Sequence, residues 1–135
     1  MKIKIIDFGA VNLPERKHYN DAGADVYVNQ SVSIWPNETV KIPLGFGLEL
    51  PDGLAAYVFP RSGWASMGIT CELPPIDSGY RGEIHAIVTN CGNKIQHVRK
   101  GDRIGQLVIM PVIIADFVKE TGEQRGAGAF ASTGK

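Results

Sequence analysis

The sequence lacks an excess of charge of either sign, and this limits the ligands that its surface as a whole attracts. Its 135 residues carry 14 basic and 14 acidic side chains, so the formal net charge is zero. Proteins that bind nucleic acids along an extended surface are usually strongly basic. We therefore expect no nucleic-acid partner, and any polyanion that the chain binds must be held by a small local group of cations.

Cysteines and long hydrophobic runs are also scarce. Cys71 and Cys91 are too few for a disulfide framework or a four-ligand zinc site, so we expect both to be reduced thiols. No run of about 18 apolar residues is present for a membrane helix. Lys2, Lys4 and Asp7 interrupt the start of the chain, unlike a signal peptide. These absences predict a soluble, cytoplasmic protein with no membrane partner.

The chain is instead rich in residues that interrupt regular structure, with 16 glycines and eight prolines. Between them lie short segments in which apolar and polar residues alternate, as at residues 25–28, 40–42 and 46–50. The length suits one domain, and a parallel sheet is excluded because crossover helices are missing. We predict about ten short strands in an all-β sandwich, jelly roll or small barrel. Only residues 62–68 favour a helical turn or two.

The end of the chain divides into two parts. Residues 104–114 are apolar on both faces and contain Pro111, which predicts a long buried strand with a bend. Residues 121–135 are glycines among small and polar residues, with one aromatic side chain. This composition predicts a domain over residues 1–120, followed by a flexible glycine-rich tail over residues 121–135.

The segment FPRSG at residues 59–63 carries groups suited to binding phosphate. Arg61 offers a charged fork, Ser62 a hydroxyl, and Gly63 lets the backbone approach a ligand closely. The alternative is an ordinary turn in which Arg61 forms a surface ion pair.

Two further segments place polar groups beside apolar ones. In IDSGY at residues 76–80, Asp77 is either a partly buried carboxylate that orients a water molecule or a residue that closes a turn on Gly79. Tyr80 offers a ring face to a sugar or base. Gln106 stands where the strand pattern calls for an apolar residue, so it needs a hydrogen-bond partner, supplied by a ligand or by the backbone.

Five segments, taken in order, resemble the motifs of the trimeric deoxyuridine triphosphatases (dUTPases). They are residues 21–25, 60–63, 76–82, 101–107 and 125–134. The resemblance covers nearly the whole chain and favours the functional explanation of each segment. It implies a jelly-roll-like, distorted β-barrel subunit in a homotrimer, where the C-terminal arm of one subunit closes over an active site built by the others. It also implies hydrolysis of dUTP to dUMP and pyrophosphate, with Mg²⁺ bridging the phosphates.

The resemblance further implies the roles of three catalytic residues. Asp77 matches the carboxylate that orients and deprotonates the water attacking the α-phosphorus. Arg125 matches an arginine finger, and Gln106 matches a contact to the phosphates.

Substrate contacts follow from the same resemblance. Tyr80 matches the ring beneath the deoxyribose, and Phe130 matches the aromatic that stacks on uracil. Asp25 matches a carboxylate that reaches the metal only through water, so no direct protein ligand is expected. The residues expected around the phosphates are Arg61, Ser62, Gly63, Ser132 and Thr133.

The chain departs from the family pattern before Ile76. The family commonly has a small, glycine-containing hairpin arm there, whose backbone pairs with uracil, whereas this chain has Pro74 and Pro75, which lack N–H donors. A dCTP deaminase shares the fold but requires a glutamate near position 87, where this chain has Ile87. A dUTPase-like regulatory or binding protein is the other alternative.

Overall fold

The structure, a computed structural model, describes residues 1–120, which form ten strands and one short helix. The strands are β1 (Lys4–Asp7), β2 (Ala24–Tyr27), β3 (Val32–Ile34), β4 (Thr39–Pro43), β5 (Phe46–Glu49), β6 (Leu54–Pro60), β7 (Ile69–Cys71), β8 (His85–Asn90), β9 (Gln96–Val98) and β10 (Arg103–Pro111). The helix α1 spans Ser62–Ser66. The all-β prediction is confirmed. Within these 120 residues no helix is long and apolar enough to cross a membrane.

Every strand pair within residues 1–120 is antiparallel, and all pairs except β7–β8 join strands that are not consecutive in sequence. The sheets have the orders β1–β5, β2–β10–β6, β3–β9 and β4–β8–β7. Strand β10 is the longest and lies between β2 and β6, with a register irregularity between Arg103 and Gly105. Pairing of non-consecutive antiparallel strands is what a jelly-roll-like barrel requires.

The alternation predicted from the sequence sorts side chains into an inner and an outer face. Strand β8 alternates between buried and half-buried residues along its whole length. The core is apolar, and Phe46 is its largest fully buried side chain. Asn90 is the one buried polar side chain among the described residues, and its amide donates to the carbonyls of Ile34 and Lys94 at 2.9 and 2.8 Å. The core of residues 1–120 thus offers no unpaired polar side chain to a ligand.

Two predicted details differ in the structure. Strand β10 ends at Pro111, so the prediction of a buried strand through residue 114 is wrong for its last residues: Ile113 is 92% exposed. Proline donates no ladder hydrogen bond, and beyond it residues 1–120 provide no neighbouring strand. The short strand β7 was not predicted, although its three residues alternate between apolar and polar side chains.

Candidate active site

A groove of about 270 Å³ lies between the outer face of the β4–β8–β7 sheet and the segment of residues 72–80. Asp77 and Tyr80 both line it, so the structure brings together these two residues singled out from the sequence. Asp77 is exposed, and the expectation of a partly buried carboxylate is wrong. The residue before it, Ile76, forms two backbone hydrogen bonds with Ala56 on β6, one through its N–H and one through its C=O. These bonds fix the backbone from which Asp77 extends.

The ring of Tyr80 is held in place by hydrogen bonds and occupies space that Gly82, which has no side chain, leaves free. Its hydroxyl donates to the carbonyl of Glu83 at 2.7 Å, and its N–H donates to the carbonyl of Asp77 at 3.1 Å. A Cβ atom on Gly82 would lie 2.6 Å from the Tyr80 hydroxyl, so the ring can occupy this position only beside glycine. The hydroxyl is engaged by the protein, which leaves the ring itself to face a ligand.

A second pocket, of about 510 Å³, lies around α1 and the start of β10. Arg61 and Gly63 line it together with Tyr27 and Trp64. The indole N–H of Trp64 donates to the carbonyl of Arg103 at 2.9 Å and fixes the helix against the barrel. Burial raises the pKa of the Tyr27 phenol, and the carboxylates of Glu15 and Asp25 raise it further, so this phenol stays protonated at neutral pH.

The cations of the second pocket differ in their availability. Arg103 forms an ion pair with Asp25, with 3.3 Å between Nη1 and Oδ2. The other ion pair among residues 1–120 joins His18 to Asp21. The alternative in which Arg61 forms a surface ion pair is therefore not observed in this part of the chain, and its guanidinium is available for an anionic ligand.

Gln106 lies at the centre of β10, opposite Asp25 on β2 and Phe59 on β6. Its side chain extends over Gly23, at which a Cβ atom would lie 2.7 Å from Gln106 Cβ and 2.8 Å from Oε1. The glycine of the segment at residues 21–25 thus makes space for the glutamine of the segment at residues 101–107. These two sequence motifs form one structural unit.

The two pockets share no lining residue. Asp77 and Tyr80 line the groove, whereas Arg61 and Gly63 line the second pocket, and Ser62 is exposed beside them. Four predicted site residues, Arg125, Phe130, Ser132 and Thr133, lie outside the described residues. Within residues 1–120 of one chain, the predicted general base and the predicted phosphate contacts therefore lie in separate pockets.

The chain is similar in sequence to known proteins over most of its length. A sequence profile of the dUTPase family matches residues 10–134. The chain belongs to the dUTPase family. It is similar to the deoxyuridine 5'-triphosphate nucleotidohydrolases of Clostridium tetani, at 43% identity over 100% of this chain and 97% of the relative. The one from Tropheryma whipplei is 42% identical over 90% of this chain and 88% of the relative.

Solved dUTPases share the fold. A mutant dUTPase from phage phi11 of S. aureus, described for its coordination of a structural Mg(II) ion, has a TM-score of 0.82 at 23% identity, covering 93% of this chain and 99% of the other. A mutant dUTPase of Staphylococcus bacteriophage 80alpha with dUpNHpp has a TM-score of 0.81 at 25% identity, covering 92% and 90%. The chain thus has the same fold as these solved dUTPases.

The groove of this dUTPase also contains residues that sequence analysis did not select. They are Lys41 on β4, Glu72 after β7, and His85 on β8. Strand alternation places positions 41 and 85 on the outer face of their strands. The sequence carries no signal that these strands are neighbours, and so nothing in it indicated a common groove.

We expect Gly23→Ala to destabilise this dUTPase by about 1–3 kcal/mol, because the new methyl group overlaps the Gln106 side chain and forces it or the strand to move. Thermal unfolding followed by circular dichroism should show Tm falling by several degrees. Gly79→Ala is the matched control, since a Cβ atom there meets nothing within 4 Å. Equal Tm values for the two variants would contradict the packing of Gln106 on Gly23.

Proposed function

We propose that this chain hydrolyses dUTP to dUMP and pyrophosphate, which keeps uracil out of DNA and supplies dUMP for thymidylate synthesis. The observation that carries the proposal is the groove in which Asp77 lies beside the Tyr80 ring, in a chain that belongs to the dUTPase family. Named relatives at 41–43% identity are nucleotidohydrolases of this substrate.

Asp77 is the general base of the proposed reaction. Its carboxylate is exposed at the groove while the backbone around it is fixed by the bonds between Ile76 and Ala56. It can therefore accept a proton from a water molecule that attacks the α-phosphorus in line with the departing pyrophosphate. Such displacements depend mainly on positioning and on charge neutralisation, and a fixed carboxylate supplies the first.

Tyr80 supports the sugar in this proposal. Because its hydroxyl donates to Glu83, the ring face is what the groove offers to the deoxyribose. A ring packed against C2′ leaves no room for a 2′-hydroxyl, so ribonucleotides are rejected sterically. Phe130 stacks on the uracil.

The phosphates are held by a second group of residues. The guanidinium of Arg61 makes no ion pair in the described part of the chain and is free to bind phosphate oxygens through its fork. Ser62, Gly63 and Gln106 add neutral contacts. Arg125 in the tail stabilises the charge that develops on the departing pyrophosphate. Ser132 and Thr133 contact the γ-phosphate.

The residues present fit a magnesium ion that is carried by the substrate. No group of three His, Cys, Asp or Glu side chains among residues 1–120 could hold a metal by itself. Mg²⁺ is usually bound through one or two carboxylates, waters and substrate phosphates. Asp25, with one carboxylate oxygen paired to Arg103, would hold it through water. When bound, the ion neutralises charge on the phosphates.

We infer a homotrimer, because the general base Asp77 and the phosphate contact Arg61 lie in separate pockets of one chain. Asp77 of one subunit meets Arg61 of a second, and the arm, residues 121–135, of the third covers both. Exposed apolar side chains just before the arm, such as Ile113 and Phe117, become buried against a neighbour. Light scattering should give about three times the chain mass of 14.6 kDa. A monomeric mass would contradict the shared site.

The decisive assay measures pyrophosphate release by the purified protein. We expect release from dUTP that depends on magnesium, and far slower turnover of dCTP, dTTP and UTP. The free thiols Cys71 and Cys91 fit the reducing cytoplasm in which we place this activity. Comparable rates on dUTP and dCTP would contradict the assigned specificity.

Deamination of dCTP is not favoured. The position at which a deaminase needs its glutamate carries Ile87, and this side chain lines the same groove as Asp77. An alkyl group exchanges no protons, so the position at which a deaminase carries its catalytic glutamate cannot transfer them here.

A further inference from the structure

The segment that borders the groove, residues 72–76, has almost no backbone N–H groups to offer a ligand. The N–H of Glu72 donates to the carbonyl of Ile87 at 2.7 Å, and that of Ile76 donates to Ala56 at 2.9 Å. Pro74 and Pro75 have none. Leu73 retains one, but Leu73 is not among the residues that line the groove. The backbone of this segment can accept hydrogen bonds in the groove but cannot donate them there.

Two side-chain donors of the groove are already in use. The Tyr80 hydroxyl donates to the carbonyl of Glu83 at 2.7 Å. His85 Nδ1 lies 3.1 Å from the same carbonyl, and because a carbonyl oxygen only accepts, Nδ1 is the donor. In neutral His85 the other ring nitrogen, Nε2, is then an acceptor.

Lys41 carries the side-chain donor that remains in the groove wall. It is exposed, it lines the groove, and it belongs to neither of the two ion pairs found in residues 1–120. On the sheet it lies directly opposite Ile87, and Glu72 lies on the far side of Ile87. The two charged residues are therefore two strand spacings apart, roughly 9–10 Å, across an apolar floor. This width suits a planar base, with a donor at one side and an acceptor at the other.

We propose that the Lys41 ammonium donates a hydrogen bond to the C4 carbonyl oxygen of uracil and so determines which base this enzyme accepts. The inference rests on the proposed function, because it assigns the groove to the base of dUTP. In this chain a side chain on β4 takes the donor role that Pro74 and Pro75 have removed from the backbone.

The chemistry of the bases gives this donor its selectivity. Uracil carries a carbonyl oxygen at C4, which accepts a hydrogen bond from an ammonium group. Cytosine carries an amino group at the same position, which is itself a donor. An ammonium group has three donors and no acceptor, so it leaves the cytosine amino group unpaired. Leaving a buried polar group unpaired is the strongest basis for rejecting a near-identical ligand.

The test compares three variants of the full-length protein. Lys41→Met removes the donor and keeps most of the apolar stem, while Lys41→Arg keeps a cationic donor. Lys94→Met is the matched control, because Lys94 is exposed and lies outside the groove. The measurements are kcat/KM for dUTP and for dCTP, and calorimetric binding of dUMP and dCMP.

We expect Lys41→Met to reduce the ratio of kcat/KM for dUTP to that for dCTP by about ten- to a hundred-fold, the effect of losing one charged hydrogen bond. Preference for dUMP over dCMP should fall in parallel, whereas Lys41→Arg keeps most of the ratio and Lys94→Met keeps all of it. Equal losses on dUTP and dCTP would place Lys41 at the phosphates and overturn the inference.

The two proposals fail in different ways. An unchanged ratio in Lys41→Met, in a wild-type protein that hydrolyses dUTP, would overturn the role of Lys41 and leave the function intact. If the wild-type protein did not hydrolyse dUTP, the proposed function would be wrong. Binding of dUMP and dCMP, measured for the wild type and for Lys41→Met, would still test the role of Lys41. Equal binding of dUMP and dCMP by the wild type would overturn that role.

Discussion

Replacing Asp77 by asparagine is expected to lower kcat for dUTP hydrolysis by about 10²–10⁴-fold, the usual contribution of a general base. Asparagine has nearly the same shape, so the groove beside Tyr80 keeps its form, but the amide cannot take a proton from water. The affinity for dUMP should therefore stay close to that of the wild type. Pyrophosphate release under saturating dUTP measures the first quantity, and titration calorimetry with dUMP measures the second.

Asp52→Asn is the matched control for this experiment. Asp52 lies next to the same turn and accepts a hydrogen bond from the Ser78 hydroxyl at 3.1 Å, a role that an amide oxygen can also fill. Its replacement should leave kcat nearly unchanged. If Asp77→Asn retained wild-type turnover, another group would have to be the base. If both variants lost activity equally, the loss would reflect a disturbed turn rather than lost proton transfer.

Arg125→Ala is expected to lower kcat by about 10³–10⁵-fold, as the loss of other arginine fingers does. The chain as a whole is neutral, and the second pocket supplies few free cations, since Arg103 is paired with Asp25. Among the cationic side chains that line that pocket, Arg61 is then the one that forms no ion pair within residues 1–120. A further guanidinium is needed where charge develops on the departing pyrophosphate.

The controls for Arg125 separate catalysis from assembly. Arg99→Ala removes an exposed arginine outside both pockets and should leave kcat unchanged. Arg125→Lys keeps the charge without the planar fork, so we expect it to recover only part of the rate. Light scattering should give the same mass for all variants. A kcat of Arg125→Ala within a few-fold of the wild type would remove this residue from the catalytic set.

The fold was largely predictable because its signals are local. Proline at position 51 and glycine at position 53 are typical of a tight turn, and the structure has Gly53 at a φ of 87° with the N–H of Leu54 donating to the carbonyl of Pro51. Alternation and apolar runs located nine of the ten strands, and β7 is the exception. The end of β10 was not predictable, since apolar residues beyond Pro111 look the same in the sequence whether a neighbour in the same chain or another subunit covers them.

The site was predictable where it coincides with motifs and unpredictable where it depends on tertiary pairing. Asp77 and Tyr80 stand three residues apart, and their common groove follows from one turn. Lys41 joins them only because β4 pairs with β8. Strand β8 begins at His85, 44 residues further along the chain than Lys41. The partner of Gly23 is similarly distant: Gln106 lies on a strand that pairs with β2 only in the folded barrel.

The separation of Asp77 and Arg61 into two pockets of one chain has a genetic consequence. If each site draws on different subunits, a chain that lacks the carboxylate and a chain that lacks the guanidinium are not equivalent defects. Mixed assemblies of the two contain sites in which both groups are intact, so two inactive alleles expressed in one cell can restore activity to each other. Conversely, one defective allele reduces the activity of assemblies built mostly from normal chains. Inheritance of such mutations would therefore follow assembly statistics rather than simple loss of one copy.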